Sequence, residues 1–251
     1  MNISLPFSSS LGAPPRLERL DHVSLFLDLD GTIAAIESRP SDVRSDNSRN
    51  ALLSAVSNRL GGRLAVISGR TIEELDQILS YKIVPLAGVH GLERRRADGQ
   101  RNDAPVHPGI AIARPIFKDI QLSDGGIILE DKGSSLALHY RCAPNAERII
   151  KAAAMKLADE TGLVLQRGAM VVELRAPGPN KADAISSFLN EPPFEASMPI
   201  FIGDDLTDEC GFDIAHKLGG FGIIVGNHRL TKAGYKLDGV NAVMAWLRGD
   251  A

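Results

Sequence analysis

The chain has 251 residues, of which 44% are hydrophobic and 24% are charged, and its formal net charge is −3. This length is sufficient for one large domain or two modest ones with a full core. The charge balance lacks the basic footprint of a nucleic-acid-binding protein, so we expect no nucleic acid as a partner. No run approaches the roughly 18 apolar residues of a membrane span, so we also expect no membrane association.

Cysteine usage and the first residues bear on the compartment. The two cysteines, Cys142 and Cys210, lie far apart without metal-ligand spacing, so we expect no disulfide framework. Residues 1–21 combine Ser, Pro and scattered charge, a pattern that predicts a loose leader rather than a signal peptide. We therefore expect a cytoplasmic protein.

Short apolar runs alternate with helical patterns in the first part of the chain. Strands are expected at 23–27 and 63–67, separated by a helix over 51–60 that ends at a Gly-Gly pair. A capping box from Thr71 to Glu74 predicts a helix that ends at residue 79. A further strand is expected at 83–87, where a proline indicates an edge or a strand end.

The middle of the chain predicts a separate α+β unit. A helix reaching residue 122 precedes two predicted hairpins, and a helix over 145–160 lies between them. The first hairpin pairs 127–130 with 135–141, and the second turns around Arg167 and Gly168.

Strands at 199–202 and 222–225 complete the predicted elements. Alternating strands and helices favour a doubly wound, mostly parallel, Rossmann-like α/β sheet. We expect a core domain from residues 1–107 and 179–251 that carries a smaller inserted α+β domain at 108–178.

Two carboxylates directly follow the first predicted strand. Asp28 and Asp30 lie two positions apart where the chain turns at Gly31. The carboxyl end of a parallel strand is a common ligand position, and adjacent acids repel unless a cation lies between them. This favours phosphoryl transfer, with Asp28 as nucleophile and Asp30 as general acid and base. The same pattern also occurs in calcium loops and surface turns, which remains the alternative.

A second acidic loop follows the strand predicted at 199–202. It contains four acids in six residues, namely Asp204, Asp205, Asp208 and Glu209. Such a cluster is unfavourable unless a metal is present, and oxygen ligands without His or Cys indicate Mg²⁺. An acidic helix N-terminus is the alternative, and it accounts for Glu209.

Two further segments suit a phosphate group. Ser68 and Gly69 follow a predicted strand and precede a helix, although Ser-Gly is also a common turn. Lys181 opens a helix, where its charge opposes the helix dipole. This unfavourable position is a small point in favour of a functional role, and a solvated surface lysine, the commoner case, is the alternative.

In order, these segments resemble the four motifs of haloacid dehalogenase-type phosphatases. The motifs are Asp28-Leu29-Asp30-Gly31-Thr32, Ser68-Gly69-Arg70, Lys181 and Gly203-Asp204-Asp205-Leu206-Thr207-Asp208. Within that superfamily the chain is similar to the trehalose-6-phosphate phosphatase family over roughly residues 23–245. That similarity rests on Gly88-Val89-His90-Gly91, Glu130-Asp131-Lys132-Gly133, His139-Tyr140-Arg141 and Val172-Glu173-Leu174-Arg175. Leu29 stands where an aromatic residue is frequent, which should alter packing rather than chemistry.

The resemblance implies a role for each motif residue. Asp28 would be the nucleophile and a metal ligand, and Asp30 the acid and base that also binds metal through its main-chain carbonyl. The remaining ligand to Mg²⁺ would be Asp204, supported by Asp205 and Asp208. The phosphoryl group would be bound by Ser68, Gly69 and Lys181. A cap domain between the serine and lysine motifs is also implied, in agreement with the insert at 108–178.

The predicted hairpins place charged residues on one face. Glu130 and Lys132 share a face, as do Glu173 and Arg175, because alternate residues of a strand point the same way. Such a face resembles a sugar-binding surface, and ordinary cross-strand ion pairing is the alternative. The expected sugar contacts are Arg70, His90, Gly91, Glu130, Lys132, Arg141, Glu173 and Arg175.

We therefore expect a monomeric, Mg²⁺-dependent enzyme that hydrolyses trehalose 6-phosphate through an aspartyl phosphate. We also expect its domains to close by hinging near 106–109 and 176–180. The alternatives are a phosphatase for sucrose 6-phosphate or mannosyl-3-phosphoglycerate, a phosphomutase, and a non-catalytic sugar-phosphate sensor. The sensor is disfavoured because the motif acids and Lys181 are all present.

Overall fold

The computed structural model describes residues 11–168, 170–226 and 229–250. In this part of the chain the strands are β1 Val23–Leu27, β2 Leu64–Ile67, β3 Leu86–Gly88, β4 Glu93–Arg95, β5 Arg101–Asp103, β6 Ile128–Asp131, β7 Ser135–His139, β8 Val164–Gly168, β9 Val171–Arg175, β10 Met198–Gly203, β11 Phe221–Val225 and β12 Tyr235–Leu237. The α-helices are α1 Asn47–Arg59, α2 Ile72–Ile78, α3 Gly109–Ser123, α4 Glu147–Thr161, α5 Lys181–Leu189, α6 Glu209–Lys217 and α7 Val240–Arg248.

The larger sheet has the strand order β12-β11-β10-β1-β2-β3-β4-β5. Strands β12 to β3 pair in parallel, and β4 and β5 extend the sheet as antiparallel strands. Every residue of β1 is buried, because helices cover both faces of the sheet. Leu25 and Leu27 belong to one apolar cluster and Phe26 to another, as the alternation of side chains along a strand requires.

The second sheet contains β6-β7-β9-β8, with all neighbours antiparallel. Its apolar face includes Leu138 and Val172, which share a cluster with Phe117 of α3 and Leu157 of α4. We call this sheet, together with α3 and α4 that cover it, the cap. A large, mostly parallel sheet with a separate antiparallel α+β unit confirms the predicted fold class.

The expected loose leader is wrong for residues 11–20. Leu17 is only 2% exposed and belongs to the core cluster of the large sheet. The indole Nε1 of Trp246 donates a hydrogen bond of 2.8 Å to the carbonyl oxygen of Pro15. This segment is therefore held by a buried leucine and by α7. Residues 1–10 of the predicted leader lie outside the described residues.

Two predicted strand boundaries are also wrong. The strand expected at 83–87 begins only at Leu86 as β3, since Pro85 lacks the N–H that pairing would use. The second cap hairpin turns after Gly168 instead of around Arg167 and Gly168, because β8 continues through both residues. No helix among the described residues is long and apolar enough to span a bilayer.

Candidate active site

The carboxyl ends of neighbouring parallel strands bring the sequence motifs to one edge of the large sheet. Asp28 follows β1, Ser68 follows β2, His90 follows β3 and Asp204 follows β10. These strands are adjacent in the sheet, so the four side chains line one cavity of about 720 Å³. The polar face of the cap closes the other side of this cavity.

Lys181 joins two buried carboxylates at the floor of the cavity. Its Nζ donates to Asp28 Oδ1 at 2.9 Å and to Asp208 Oδ1 at 2.6 Å. Asn180 caps α5 by accepting backbone N–H bonds, which places Lys181 in the first turn. Burial opposes the charged ammonium, but Asp208 and Asp28 outweigh burial and raise the pKa of Lys181 above its ordinary value. The lysine is therefore a fixed cation.

Asp28 itself lies where a negative charge is unfavourable. Burial raises the pKa of Asp28 well above its ordinary value, and this outweighs the attraction of Lys181. The nearby carboxylates of Asp208 and Asp204 raise the pKa further. The ionised form of Asp28 thus needs more positive charge than one lysine supplies.

The carboxyl group of Asp204 lies close to the backbone of Gly31, the glycine that follows Asp30. Gly31 has a φ of +84°, and a Cβ on it would lie 2.2 Å from Asp204 Oδ2. Thr32 Oγ1 donates a long hydrogen bond of 3.4 Å to Asp204 Oδ1. Burial, with Asp208 as the next cause, raises the pKa of Asp204 to about 7.

These acids fit a divalent cation. Asp28, Asp204 and Asp208 each offer a carboxylate oxygen, and these oxygens lie within 4.8 Å of one another. All donors are oxygen atoms, which suits a hard cation such as Mg²⁺. The raised pKa values of Asp28 and Asp204 also indicate a cation site, because a cation between these carboxylates would favour both ionised forms.

The contacts of Asp208 favour a supporting position over direct ligation. Besides Lys181, Asp208 Oδ2 accepts the backbone N–H groups of Asp204 at 2.9 Å and Asp205 at 3.0 Å. Gly203 lacks a side chain where a Cβ would lie 2.4 Å from this carboxyl group. Asp205 Oδ1 accepts the N–H of Leu206 at 2.7 Å, so this carboxylate also stabilises the loop.

Asp30 is held by an arginine in a two-point ion pair. Arg70 Nε donates to Asp30 Oδ2 at 2.7 Å, and Arg70 Nη2 donates to Asp30 Oδ1 at 2.8 Å. Arg70 Nη1 also donates to the carbonyl oxygen of Pro40 at 3.0 Å. Arg70, predicted as a sugar contact, therefore lies in the core beside the predicted acid and base.

The loop after β2 is packed against the turn after β3. Ser68 is buried, and its Oγ accepts the N–H of Arg70 at 3.3 Å. A Cβ on Gly69 would lie 2.7 Å from His90 Nε2, and one on Gly91 would lie 2.6 Å from the carbonyl oxygen of Asn180. Both glycines therefore permit close approaches that a side chain would prevent.

The polar face of the cap places Glu130 and Glu173 in one row. Both pair with Ala137 of β7, and Gln166 pairs with Glu173 from the other side. Lys132 Nζ lies 3.6 Å from Glu130 Oε2 and 3.4 Å from Glu173 Oε1. Burial disfavours the ionised form of Glu173, but Lys132, His90 and Ser135 outweigh it and hold its pKa well below the usual range.

The two other arginines predicted for sugar binding lie at different places. Arg141 lies at the rim of the cavity, and its Nη1 donates to the carbonyl oxygen of Glu37 at 2.7 Å. Arg175 turns away from the cavity toward the crossing from cap to core. Its Nη2 donates to the carbonyl oxygens of Gly178 at 3.1 Å and Pro179 at 2.5 Å.

Among the cavity residues that sequence reasoning did not assign to the site are Gln166, His139 and Arg229, although His139 belongs to a motif that carries the resemblance. Gln166 and His139 lie on the polar face of the cap. Gln166 pairs with Glu173, and His139 lies two positions from Ala137, the partner of Glu130, so the register of the hairpins identifies both. His139 Nε2 lies 2.7 Å from Glu130 Oε2. Arg229 donates through Nη2 to the carbonyl oxygen of Asp205 at 2.6 Å and through Nη1 to Glu209. Arg229 lies outside any regular element, so no periodic pattern marks it.

A family model and two similar proteins of known sequence all point to one family. The trehalose-phosphatase family model matches residues 26–240. A trehalose-6-phosphate phosphatase of Escherichia coli is 40% identical over 226 residues, which cover 88% of this chain and 84% of that protein. A probable trehalose-phosphate phosphatase of Sinorhizobium fredii is 38% identical, over 82% of this chain and 79% of that protein.

Solved structures share the fold. A trehalose-6-phosphate phosphatase related protein superposes with a TM-score of 0.73 at 25% identity, over 89% of this chain and 95% of that chain. The C-terminal domain of the trehalose-6-phosphate phosphatase of C. albicans has a TM-score of 0.84 at 21% identity, over 95% of this chain and 97% of that chain. With a family model over most of its length and relatives of this similarity, the chain belongs to the trehalose-phosphatase family.

Proposed function

We propose that the protein hydrolyses trehalose 6-phosphate to trehalose and phosphate. The observation that carries this proposal is one cavity in which Asp28, Lys181 and Asp204 face a cap surface bearing Glu130 and Glu173. The first group suits a phosphoryl group and the second suits sugar hydroxyls. Membership of the trehalose-phosphatase family supports the choice of substrate.

The proposed division of labour follows the proposed domains. The core domain, residues 1–107 and 179–251, would carry the phosphoryl chemistry, and the cap domain, residues 108–178, would recognise the sugar. Movement at 106–109 and 176–180 would open and close the cavity. Closure would exclude bulk water from the reacting groups.

In the proposed reaction, a carboxylate oxygen of Asp28 attacks phosphorus and the bond from phosphorus to the sugar oxygen breaks. Asp30 gives a proton to that leaving oxygen and later takes one from the water that hydrolyses the aspartyl phosphate. Phosphate leaves and the Asp28 carboxylate is restored. Lys181 stabilises the negative charge throughout from its buried position, together with Ser68 and Gly69 at the phosphoryl oxygens.

The proposed metal is Mg²⁺. Asp28, Asp204 and the main-chain carbonyl of Asp30 would hold it, with Asp205 and Asp208 supporting the loop that carries Asp204. When bound, Mg²⁺ would supply positive charge to the phosphoryl oxygens and to the two acids.

The sugar would be recognised by paired donors and acceptors. Glu130 and Glu173 would accept hydroxyl hydrogens, and Lys132 would donate to hydroxyl oxygens. The remaining proposed contacts, from the core and the cavity rim, are Arg70, His90, Gly91 and Arg141. Arg175 would act through the crossing it stabilises, because its guanidinium bonds to the backbone there.

Phosphate release from trehalose 6-phosphate in the presence of Mg²⁺ tests the proposal. We expect turnover by the wild type and loss of at least about 10³-fold in the Asp28→Asn variant, because the nucleophile is removed. A panel with sucrose 6-phosphate and mannosyl-3-phosphoglycerate, ranked by kcat/KM, tests the substrate. A higher kcat/KM for another sugar phosphate would overturn the substrate assignment, and release no greater than that of Asp28→Asn would overturn the enzymatic proposal.

A further inference from the structure

The turn after β3 has an unusual backbone. Val89 and His90 have φ values of 45° and 57°, and Gly91 follows with 108°. Positive φ is rare for residues other than glycine and especially for a β-branched one, and such residues cluster at functional sites. The N–H of Val89 donates to the carbonyl oxygen of Arg70 at 2.8 Å, and that of His90 donates to Ser68 at 2.9 Å. The turn is therefore bound to the loop that carries Ser68 and Gly69.

This turn sends the imidazole of His90 across the boundary between core and cap. His90 Nε2 lies 3.1 Å from Oε2 of Glu173, and both side chains are buried. His90 comes from the core, next to the predicted phosphate-binding loop, whereas Glu173 lies on the polar face of the cap. The contact thus connects the two halves of the cavity.

Chemistry assigns the proton in this contact. Glu173 is ionised and can only accept, so Nε2 of His90 carries the hydrogen. Burial, with Lys181 and Lys132 acting in the same direction, lowers the pKa of His90 despite the neighbouring Glu173. The imidazole is therefore neutral, with an unprotonated Nδ1 that has no hydrogen-bond partner among the described residues.

The two oxygens of Glu173 have partners from different domains. Oε1 accepts a hydrogen bond of 2.5 Å from Ser135 Oγ and lies 3.4 Å from Lys132 Nζ, and both of these partners belong to the cap. Oε2 is the oxygen that accepts His90 from the core. Among the described residues, the cap gives this oxygen no hydrogen-bond partner, so docking on the core completes the orientation of the carboxylate.

From this geometry we infer that His90 is a positioning residue, which fixes Glu173 for sugar binding only when the cap is docked on the core. The inference rests on the proposed function and deepens it. It makes sugar recognition conditional on closure over the phosphoryl site. A sugar phosphate would then meet a Glu173 held at both oxygens in the closed cavity, whereas the open cap would hold this carboxylate through Oε1 alone.

The chain offers a matched comparison inside the same cavity. His139 and Glu130 also form a histidine–carboxylate contact, at 2.7 Å, but both belong to the cap. Their contact does not depend on docking. We therefore expect energetic coupling between His90 and Glu173, whose contact depends on closure, and none between His90 and Glu130.

Kinetics with two substrates test the inference. His90→Asn tolerates a positive φ but is too short to reach Glu173, whereas His90→Gln keeps a donor of greater reach. For trehalose 6-phosphate we expect kcat/KM to fall roughly 10- to 100-fold in His90→Asn, the range for a hydrogen bond to a charged group, with partial recovery in His90→Gln. For p-nitrophenyl phosphate, which has no sugar hydroxyls, we expect a clearly smaller loss of kcat/KM than for trehalose 6-phosphate; some loss is expected because His90 packs against the loop that carries Ser68 and Gly69. Equal losses on both substrates would overturn the inference.

A double-mutant cycle separates coupling from general damage. We expect the effects of His90→Asn and Glu173→Ala on trehalose 6-phosphate turnover to be strongly non-additive, because either change removes the same contact. The effects of His90→Asn and Glu130→Ala should add. Additive effects of His90→Asn and Glu173→Ala would overturn the inference.

A spectroscopic measurement does not depend on turnover or on the folding of a variant. ¹⁵N NMR of the wild type should report His90 as a neutral imidazole protonated at Nε2, and a proton on Nδ1 instead would overturn the inference. If the wild type releases phosphate from p-nitrophenyl phosphate but not from trehalose 6-phosphate, the proposed function fails. The NMR result then shows, independently of the proposed function, whether His90 donates a hydrogen bond to Glu173.

Discussion

Lys181 is only 2% exposed, yet it carries a charge between two carboxylates. Burying three ionised groups is unfavourable unless their charges are paired and their hydrogen bonds are made. Asp208 satisfies this condition through both oxygens, one on Lys181 and one on the backbone of the loop. Asp28 and Asp204 satisfy it less well, and their raised pKa values express the repulsion that a cation would remove.

The first prediction concerns the stability of the metal-free protein. The folded-state pKa of Asp204 is about 7 against an ordinary value of 3.8, so the folded protein resists ionising this group. The contribution of Asp204 to the free energy of unfolding should therefore fall as pH rises from about 4 to 7. The Asp204→Asn variant lacks this contribution and its fall. At pH 8 with a chelator, we expect the variant to be more stable than the wild type by ~2 kcal/mol, a value reduced for partial solvent screening.

Urea denaturation at pH 5 and pH 8 measures this difference. Asp119→Asn, at an exposed site on α3, is the control and should leave the pH dependence unchanged. Added Mg²⁺ should reverse the order at pH 8, since it favours the ionised wild type. A variant that is less stable than the wild type at pH 8 in chelator would contradict the electrostatic account.

At the scale of elements, tight turns after strands decide how closely the acids approach. β1 and β10 are neighbours in parallel register, and each ends in an acidic loop. Gly31 at the end of the first loop makes room for the carboxyl group of Asp204 from the second. The distance between these acids is thus determined by backbone conformation as much as by strand order.

The second prediction compares two glycines with nearly the same backbone. Gly31 and Gly99 have φ values of +84° and +87°, but a Cβ would meet Asp204 only at Gly31 and nothing within 4 Å at Gly99. Gly99→Ala should cost about 1 kcal/mol of unfolding free energy, from the left-handed backbone alone. Gly31→Ala should cost at least ~3 kcal/mol and reduce phosphate release, because Asp204 must move. Equal costs in urea denaturation would show that the close approach is unimportant.

At the scale of the whole molecule, the protein consists of two layered units with separate apolar clusters and a polar cavity between them. In each unit, helices pack on the apolar face or faces of the sheet, and polar residues from both units line the cavity. The contacts of His90 with Glu173 and of Arg141 with Glu37 join the cap to the core. Each contact is a hydrogen bond between a side chain of one unit and a group of the other, which suits the proposed opening and closing of the cavity.

The third prediction is that the molecule compacts when the cavity is filled. Orthovanadate with trehalose and Mg²⁺ should reduce the radius of gyration in small-angle scattering, because ligands that bridge core and cap favour the closed state. Trehalose alone is the control and should have less effect, since it lacks the phosphoryl-like group. An unchanged radius of gyration with the full set of ligands would contradict closure at 106–109 and 176–180.

Much of the fold and part of the site could be predicted from local patterns. The strand before Asp28, the capping box at Thr71 and the hairpins of the cap each follow from residue periodicity or turn chemistry over a few positions. The polar cap face followed in the same way, since Glu130 and Glu173 both occupy the cavity-facing register of their strands. The end of β8 at Gly168 was less predictable because pairing with β9, rather than a local pattern, determines where that strand stops, whereas the start of β3 after Pro85 has a local cause in the missing N–H.

The sequence by itself determined that acids follow two buried strands, that a lysine opens a helix and that polar residues alternate in the cap. Only the tertiary structure decided which of these groups meet. Arg70 bonds to Asp30 rather than facing the cap, Arg175 turns to the backbone, and Leu17 enters the core. The contact of His90 with Glu173 joins residues 83 positions apart through a turn with positive φ. Local sequence patterns define the direction of a side chain within its own element, whereas strand order and backbone turns determine its partners.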